Sequence, residues 1–213
     1  MYRESIVNHL PVYLVMGLDN YGNRTALDIA REALEGGVTI FQLREKKAPL
    51  KQVLEQGVLL RDLCRQYGVP FLVNDRVDVA ILLDADGVHV GQDDIPGQEV
   101  RKLLGDNKII GISAGSMEEA EWAMSQSPDY LGIGPVYATS TKQDAGDAIG
   151  TTLIREIANR WPVPMVGIGG IQDNNAASVI QAGAHGVAVV SAITKNSKPE
   201  DATARLKQIV LQS

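Results

Sequence analysis

The chain has 213 residues, 45% of them hydrophobic and 22% charged, an ordinary composition for a folded globular protein with one substantial core. A formal net charge of −6 and only 5% aromatic residues argue against a nucleic-acid partner, which calls for clustered cations and stacking rings. The lone cysteine, Cys64, rules out an intrachain disulfide and a multi-cysteine zinc site. His9, His89 and His185 are too scattered in the chain to suggest a metal cluster. No apolar run approaches the ~20 residues of a membrane helix, and the first residues are too polar for a secretory leader. A cytoplasmic protein without a membrane partner is expected.

Short apolar runs alternate with amphipathic ones along the chain, without a linker or low-complexity stretch. Val12–Met16 reads as the first strand. Thr25–Glu35 follows as a helix, with apolar positions at Ala26, Leu27, Ala30, Ala33 and Leu34 and a Gly36-Gly37 stop. Thr39–Leu43 is the second strand and Leu50–Tyr67 the next helix, in which Cys64 lies beside Leu59, Leu60 and Leu63 as a core residue. Strands are expected at Phe71–Asn74, Gly87–Gly91 and Ile109–Ser113, then a helix at Ser116–Ser125. That helix opens on a serine with Glu119 three residues on, the spacing of a capping box. Strands at Tyr130–Gly134, Met165–Ile168 and Val187–Ser191, with helices at Asp173–Ala182 and Pro199–Leu211, complete the series.

Runs this short and this rich in Val and Ile read as parallel strands buried on both faces. Eight such units in one series, with no dinucleotide fingerprint, predict an α/β fold of the (β/α)8 TIM-barrel type, one domain over residues 1–213. In that fold the residues at strand C-termini carry the chemistry.

At the second strand end, Gln42, Arg44 and Lys46 share one face of the strand. Arg44 either pairs with Glu45 or another carboxylate, or forms a cationic floor for an anionic ligand. Asp75 and Asp94, after the third and fourth strands, can be a helix-terminal charge and a solvated loop residue, or together a Mg2+ site, since that ion takes few protein oxygens and shares phosphate oxygens. His89, between valines, reads equally as a hydrogen-bonded structural residue, and no catalytic role is assigned to it. Ser113 ends the fifth strand with a small hydroxyl. After the sixth, Thr139, Ser140 and Thr141 precede Lys142, enough donors and charge for a phosphate. The polar stretch that follows, through residues 143–149, is either a lid or a surface loop. Gly169, Gly170 and Ser191, after strands seven and eight, occupy the usual phosphate position of barrel enzymes.

These segments resemble the thiamine phosphate synthase family: Gln42-Leu43-Arg44-Glu45-Lys46, Val73-Asn74-Asp75-Arg76, Gly87 to Gln92 with Asp94, Gly134 to Lys142, Gly167 to Ile171 and Val190 to Ile193. The likeness runs from about Pro11 to Ile193, and the loop ending in Lys142 is its most specific element. The resemblance implies condensation of 4-amino-5-hydroxymethyl-2-methylpyrimidine diphosphate with 4-methyl-5-(2-hydroxyethyl)thiazole phosphate, or its carboxylated form, releasing diphosphate. It implies Mg2+ on Asp75 and Asp94. It further implies that Gln42, Leu43, Arg44, Glu45, Lys46, Asn74, Ser113 and Lys142 hold the pyrimidine diphosphate, with Arg44 and Lys142 as charge stabilisers. Thr139, Ser140, Thr141, Gly170, Val190 and Ser191 would hold the thiazole phosphate. Two rivals are a related thiazole tautomerase, which typically carries histidine where this chain has Pro135, and a non-catalytic sensor of phosphate ligands. The apolar helix faces are compatible with a homo-oligomer.

Overall fold

The computed structural model describes residues 2–19, 21–141 and 146–213. Its strands are β1 (Val12–Met16), β2 (Ile40–Leu43), β3 (Phe71–Asn74), β4 (Gly87–Val90), β5 (Ile109–Ala114), β6 (Tyr130–Ile133), β7 (Met165–Ile168) and β8 (Gly186–Val189). All pair in parallel in sequence order, and β8 closes on β1 through Val12–Val187. The chain is therefore an eight-stranded (β/α)8 barrel, as the alternation predicts.

The helices are α1 (Ala26–Glu35), α2 (Leu50–Gln66), α3 (Val77–Leu82), α4 (Gly97–Leu104), α5 (Met117–Ser125), α6 (Thr152–Arg160), α7 (Ala176–Gln181), α8 (Ser191–Thr194) and α9 (Pro199–Gln212). Local chemistry sets several boundaries. Thr25 caps α1 in a reciprocal box with Asp28, satisfying otherwise orphan N–H groups. Ser116 accepts from the Glu119 N–H as expected, but the Glu119 carboxylate turns to the Gly115 N–H at 2.6 Å, so the reciprocal half of that box is absent. The helix expected from Asp173 begins later, at Ala176, because the Asn175 side chain folds back to Gln172 and Gly170 and holds the preceding turn. The last strand ends at Val189, and Ser191 opens α8 instead of extending the sheet.

Two apolar layers result from the alternation of side chains along each strand. Leu14, Phe41, Leu43 and Phe71 point outward into the layer beneath the helices, where the Phe41 and Phe71 rings stack 5.7 Å apart. Tyr13, Val15, Ile40, Leu72, Ile109, Tyr130, Val166 and Ala188 fill the interior. A 3-10 helix over Arg3–His9 closes the N-terminal end of the barrel with Ile6, and Leu10 follows it into the same cluster. Asp129 ties that closure down: its carboxylate takes Arg3 Nε at 2.7 Å, Arg101 Nη2 at 2.7 Å and the Ile110 N–H at 2.8 Å. Among the described residues, no helix is long and apolar enough to cross a membrane.

Candidate active site

Asp75 follows β3 and Asp94 follows β4, and they meet because β3 and β4 are register neighbours, Asn74 opposite His89. Asp75 has a left-handed φ of 59°, a conformation that Asp tolerates better than most residues. Its N–H donates to the His89 carbonyl at 2.8 Å, which fixes the turn. Asp94 accepts the Gly91 N–H at 2.7 Å. Burial, reinforced by the facing Asp75 carboxylate, holds the Asp94 carboxyl above the usual carboxylate range despite the Gly91 N–H. Lys46 reaches Asp75 at 3.2 Å. Two carboxylates pressed together gain from a cation between them. Among the described residues, no cluster of three or more His, Cys, Asp or Glu is placed to hold a metal, so the donor set suits a hard ion that completes its shell with water and substrate oxygens.

A cavity of about 790 Å³ opens at the same end of the barrel, lined in part by Arg44, Ser140, Thr141, Val190 and Ser191. The fold thus brings together anion-handling residues from β2, the loop after β6, and β8. Arg24 and Lys195 line it too. The strand-end reading missed both because they lie several residues beyond β1 and β8; a count of cations in the loops after each strand would have found them. Arg24 is ion-paired with Glu32. Of the two arrangements open for Arg44, the pair with Glu45 does not form. The Glu45 carboxylate instead takes the N–H groups of Leu18, Lys47 and Ala48 at 2.8, 2.7 and 3.0 Å. Burial pushes the Glu45 carboxyl up, and these donors together bring it below its ordinary range. Among the described residues no carboxylate pairs with Arg44, which lines the cavity.

The loop after β6 leaves through Gly134-Pro135, a cis peptide. Its outgoing arm is bonded to β7 by Val136 N–H to Ile168 at 2.8 Å and Tyr137 N–H to Gly169 at 3.0 Å. Its returning arm pairs back, Ile149 N–H to Pro135 at 2.9 Å and Gly150 N–H to Val136 at 2.9 Å. Gly169 and Gly170, with φ of 99° and 63°, take conformations that favour glycine. A Cβ on Gly170 would lie 2.5 Å from the Ala138 carbonyl oxygen. Lys142 and residues 143–145 lie outside the described residues, while 146–148 are exposed.

Inside the barrel, Gln42, Tyr13, Tyr130, His89 and Ser113 form a continuous polar chain. Gln42 Nε2 donates to Tyr13 OH at 2.6 Å, the two phenols lie 2.7 Å apart, Tyr130 OH lies 2.8 Å from His89 Nδ1, and His89 Nε2 lies 2.8 Å from Ser113 Oγ. The two tyrosines went unnoticed in the sequence, where each sits in an unbroken apolar strand. His89, Gly111 and Tyr130 are successive register partners. The missing side chain at Gly111 is what admits both rings: a Cβ there would meet Tyr130 Cζ at 2.2 Å and His89 Nδ1 at 2.5 Å. Leu43 is buried outward in the layer beneath the helices. Asn74 is half-buried at the end of β3, and Thr139 accepts the Thr141 N–H at 3.2 Å.

Paired carboxylates, a cavity lined by cations and hydroxyl groups, and glycine-rich strand ends on one rim are features of a TIM-barrel enzyme that handles small anionic molecules. Residues 12–193 match the family described as thiamine monophosphate synthase. The chain is 45% identical to a thiamine-phosphate synthase of Moorella thermoacetica, covering 95% of this chain and 96% of that one. It is 46% identical to that of Geobacillus thermodenitrificans, covering 99% and 96%. Among solved structures, a thiamine phosphate pyrophosphorylase from Pyrococcus furiosus superposes with a TM-score of 0.88 at 40% identity, covering 97% of this chain and 98% of that one. The chain belongs to the thiamine monophosphate synthase family and is a transferase.

Proposed function

We propose that the chain acts as one barrel domain, a cytoplasmic enzyme joining 4-amino-5-hydroxymethyl-2-methylpyrimidine diphosphate to 4-methyl-5-(2-hydroxyethyl)thiazole phosphate, or its carboxylated form, to make thiamine phosphate. The observation that carries this reading is the facing of Asp75 and Asp94 at the end of the barrel that also opens into a cavity lined in part by Arg44, Ser140, Thr141 and Ser191. Asp75 and Asp94 hold Mg2+, which when bound offsets charge on the departing diphosphate. Lys46 and Arg44 bring further positive charge to that side, and Lys142 joins them from the loop after β6. Ser140, Thr141 and Ser191 donate hydrogen bonds to the thiazole phosphate, and Gln42, Asn74 and Ser113 orient the pyrimidine.

The bond between the pyrimidine methylene carbon and the diphosphate oxygen breaks, the electron pair leaving with diphosphate. The pyrimidine amino group stabilises the resulting cation, and the thiazole nitrogen forms the new carbon–nitrogen bond. No protein nucleophile is needed, and positioning with charge stabilisation supplies most of the rate. The test is thiamine phosphate formation from both purified substrates, with Mg2+ and with excess chelator. Product that requires the metal is expected. No product in either condition, with thiazole-phosphate binding intact, would overturn the reading in favour of a tautomerase or a sensor.

A further inference from the structure

We propose that Asn175, in the turn between β7 and α7, is a positioning residue whose side chain fixes two successive backbone N–H groups, those of Gly170 and Ile171, for the thiazole phosphate. The proposal rests on the function proposed above and deepens it, by making phosphate affinity depend on a residue that lies outside the strand ends.

A barrel holds phosphate with N–H groups in the loops after its seventh and eighth strands. Two successive N–H groups make an anion-binding concavity only if the peptides that carry them are held in place. Here Ile168 lies opposite Ala188, which sets the turn after β7 beside Val190 and Ser191, two residues of the cavity wall. Within that turn, the N–H groups of Gly170 and Ile171 donate to none of the described residues. Gly170 and Ile171 belong to no helix or strand, so no regular ladder holds them.

Their peptides are held instead by their carbonyl oxygens. The Gly169 carbonyl accepts the Tyr137 N–H at 3.0 Å. The Gly170 carbonyl accepts Asn175 Nδ2 at 3.1 Å. In a trans peptide the N–H points opposite to the C=O, so Tyr137 aims the Gly170 N–H and Asn175 aims the Ile171 N–H. The partners themselves fix the sense of the Asn175 amide. A backbone carbonyl only accepts and a backbone N–H only donates, so the nitrogen must face Gly170 and the oxygen must take the Gln172 N–H, at 2.8 Å. The Asn175 carbonyl also accepts the Tyr137 hydroxyl at 3.3 Å. One residue thus ties the glycine turn to the start of α7 and to the loop that carries Ser140 and Thr141. Without its side chain, Gly170 is free to pivot, and the two N–H groups lose their common aim.

The experiment uses the full chain and its Asn175→Ala and Asn175→Asp variants, and measures thermal melting, kcat and KM for each substrate. In Asn175→Ala the KM for thiazole phosphate should rise about tenfold, the scale of one hydrogen bond to a charged group. The KM for the pyrimidine diphosphate should stay within about twofold and kcat within about threefold, as for loss of uniform binding at one substrate. An unmoved thiazole-phosphate KM in a folded variant would overturn the proposal, as would equal rises in both KM values with a lowered melting temperature. If Asn175→Ala fails to fold, Asn175→Asp decides by the same ratio of KM values, since it keeps the acceptor for Gln172 and removes the donor to Gly170. A wild-type chain that forms no thiamine phosphate sinks the function itself; an active wild type with an unmoved ratio in the variants sinks only the role of Asn175.

Discussion

At the N-terminal end of the barrel, Ile6 and Leu10 fill the interior with apolar surface, and Asp129 straps the closing turn to Arg3 and Arg101. At the C-terminal end, the same strands finish in Arg44, Asp75, Ser113 and Ser191, and the interior gives way to a cavity. One end spends its residues on closure and the other on ligand. The boundary between them is the layer of Tyr13, Tyr130 and His89, where apolar packing meets the first polar contacts. The division separates two kinds of effect: changes below the layer should act on stability and changes above it on turnover.

The largest expected effect is at the rim. Asp94→Asn removes half of the carboxylate pair, and turnover should fall on the order of a hundredfold or more, as for loss of a charge stabiliser; its melting temperature should hold, and turnover near wild type would detach Asp94 from the chemistry. Lys142→Ala should lower turnover almost as far, and a near-normal rate would remove that lysine from the mechanism. Below the layer, Leu10→Ala leaves a hole at a fully buried position. Denaturant unfolding should register a loss of about 2 to 5 kcal/mol, with kcat and both KM values retained. A drop in kcat on its own would show the two ends to be coupled. Smaller still, Asp129→Ala strips two guanidinium groups and one N–H of their acceptor. It should destabilise by about 2 kcal/mol while leaving turnover alone. Unchanged stability would mean that the strap contributes nothing net.

Much of this division was legible in the sequence. The eight strands stood out because parallel strands buried on both faces read as short Val- and Ile-rich runs, and most of their observed bounds fall within a residue of those runs. Arg44, Ser140, Thr141 and Ser191 were legible because polar residues at the ends of apolar strands are conspicuous, and they do gather around one cavity; Val190, apolar itself, came from the family resemblance alone. Helices α3, α4, α6 and α8 were not read from the sequence; α3 and α8, six and four residues long, leave too few turns for a periodic signal. The Gln42–Ser113 chain was illegible for a different reason. Uniformly apolar strands do not reveal which side faces the barrel axis, so Tyr13 and Tyr130 look like any other core residue until strand register brings their hydroxyls together.

The empty space at Gly111 carries a consequence for how such a barrel can change over generations. Adding even a methyl group there collides with the Tyr130 ring and with His89, so the glycine cannot be replaced while both rings stay in place. A lineage that replaced the glycine would first have to shorten the tyrosine, and would break the chain between Gln42 and Ser113 in doing so. The rim can be rebuilt residue by residue for new ligands, whereas the glycine can change only together with the rings it admits.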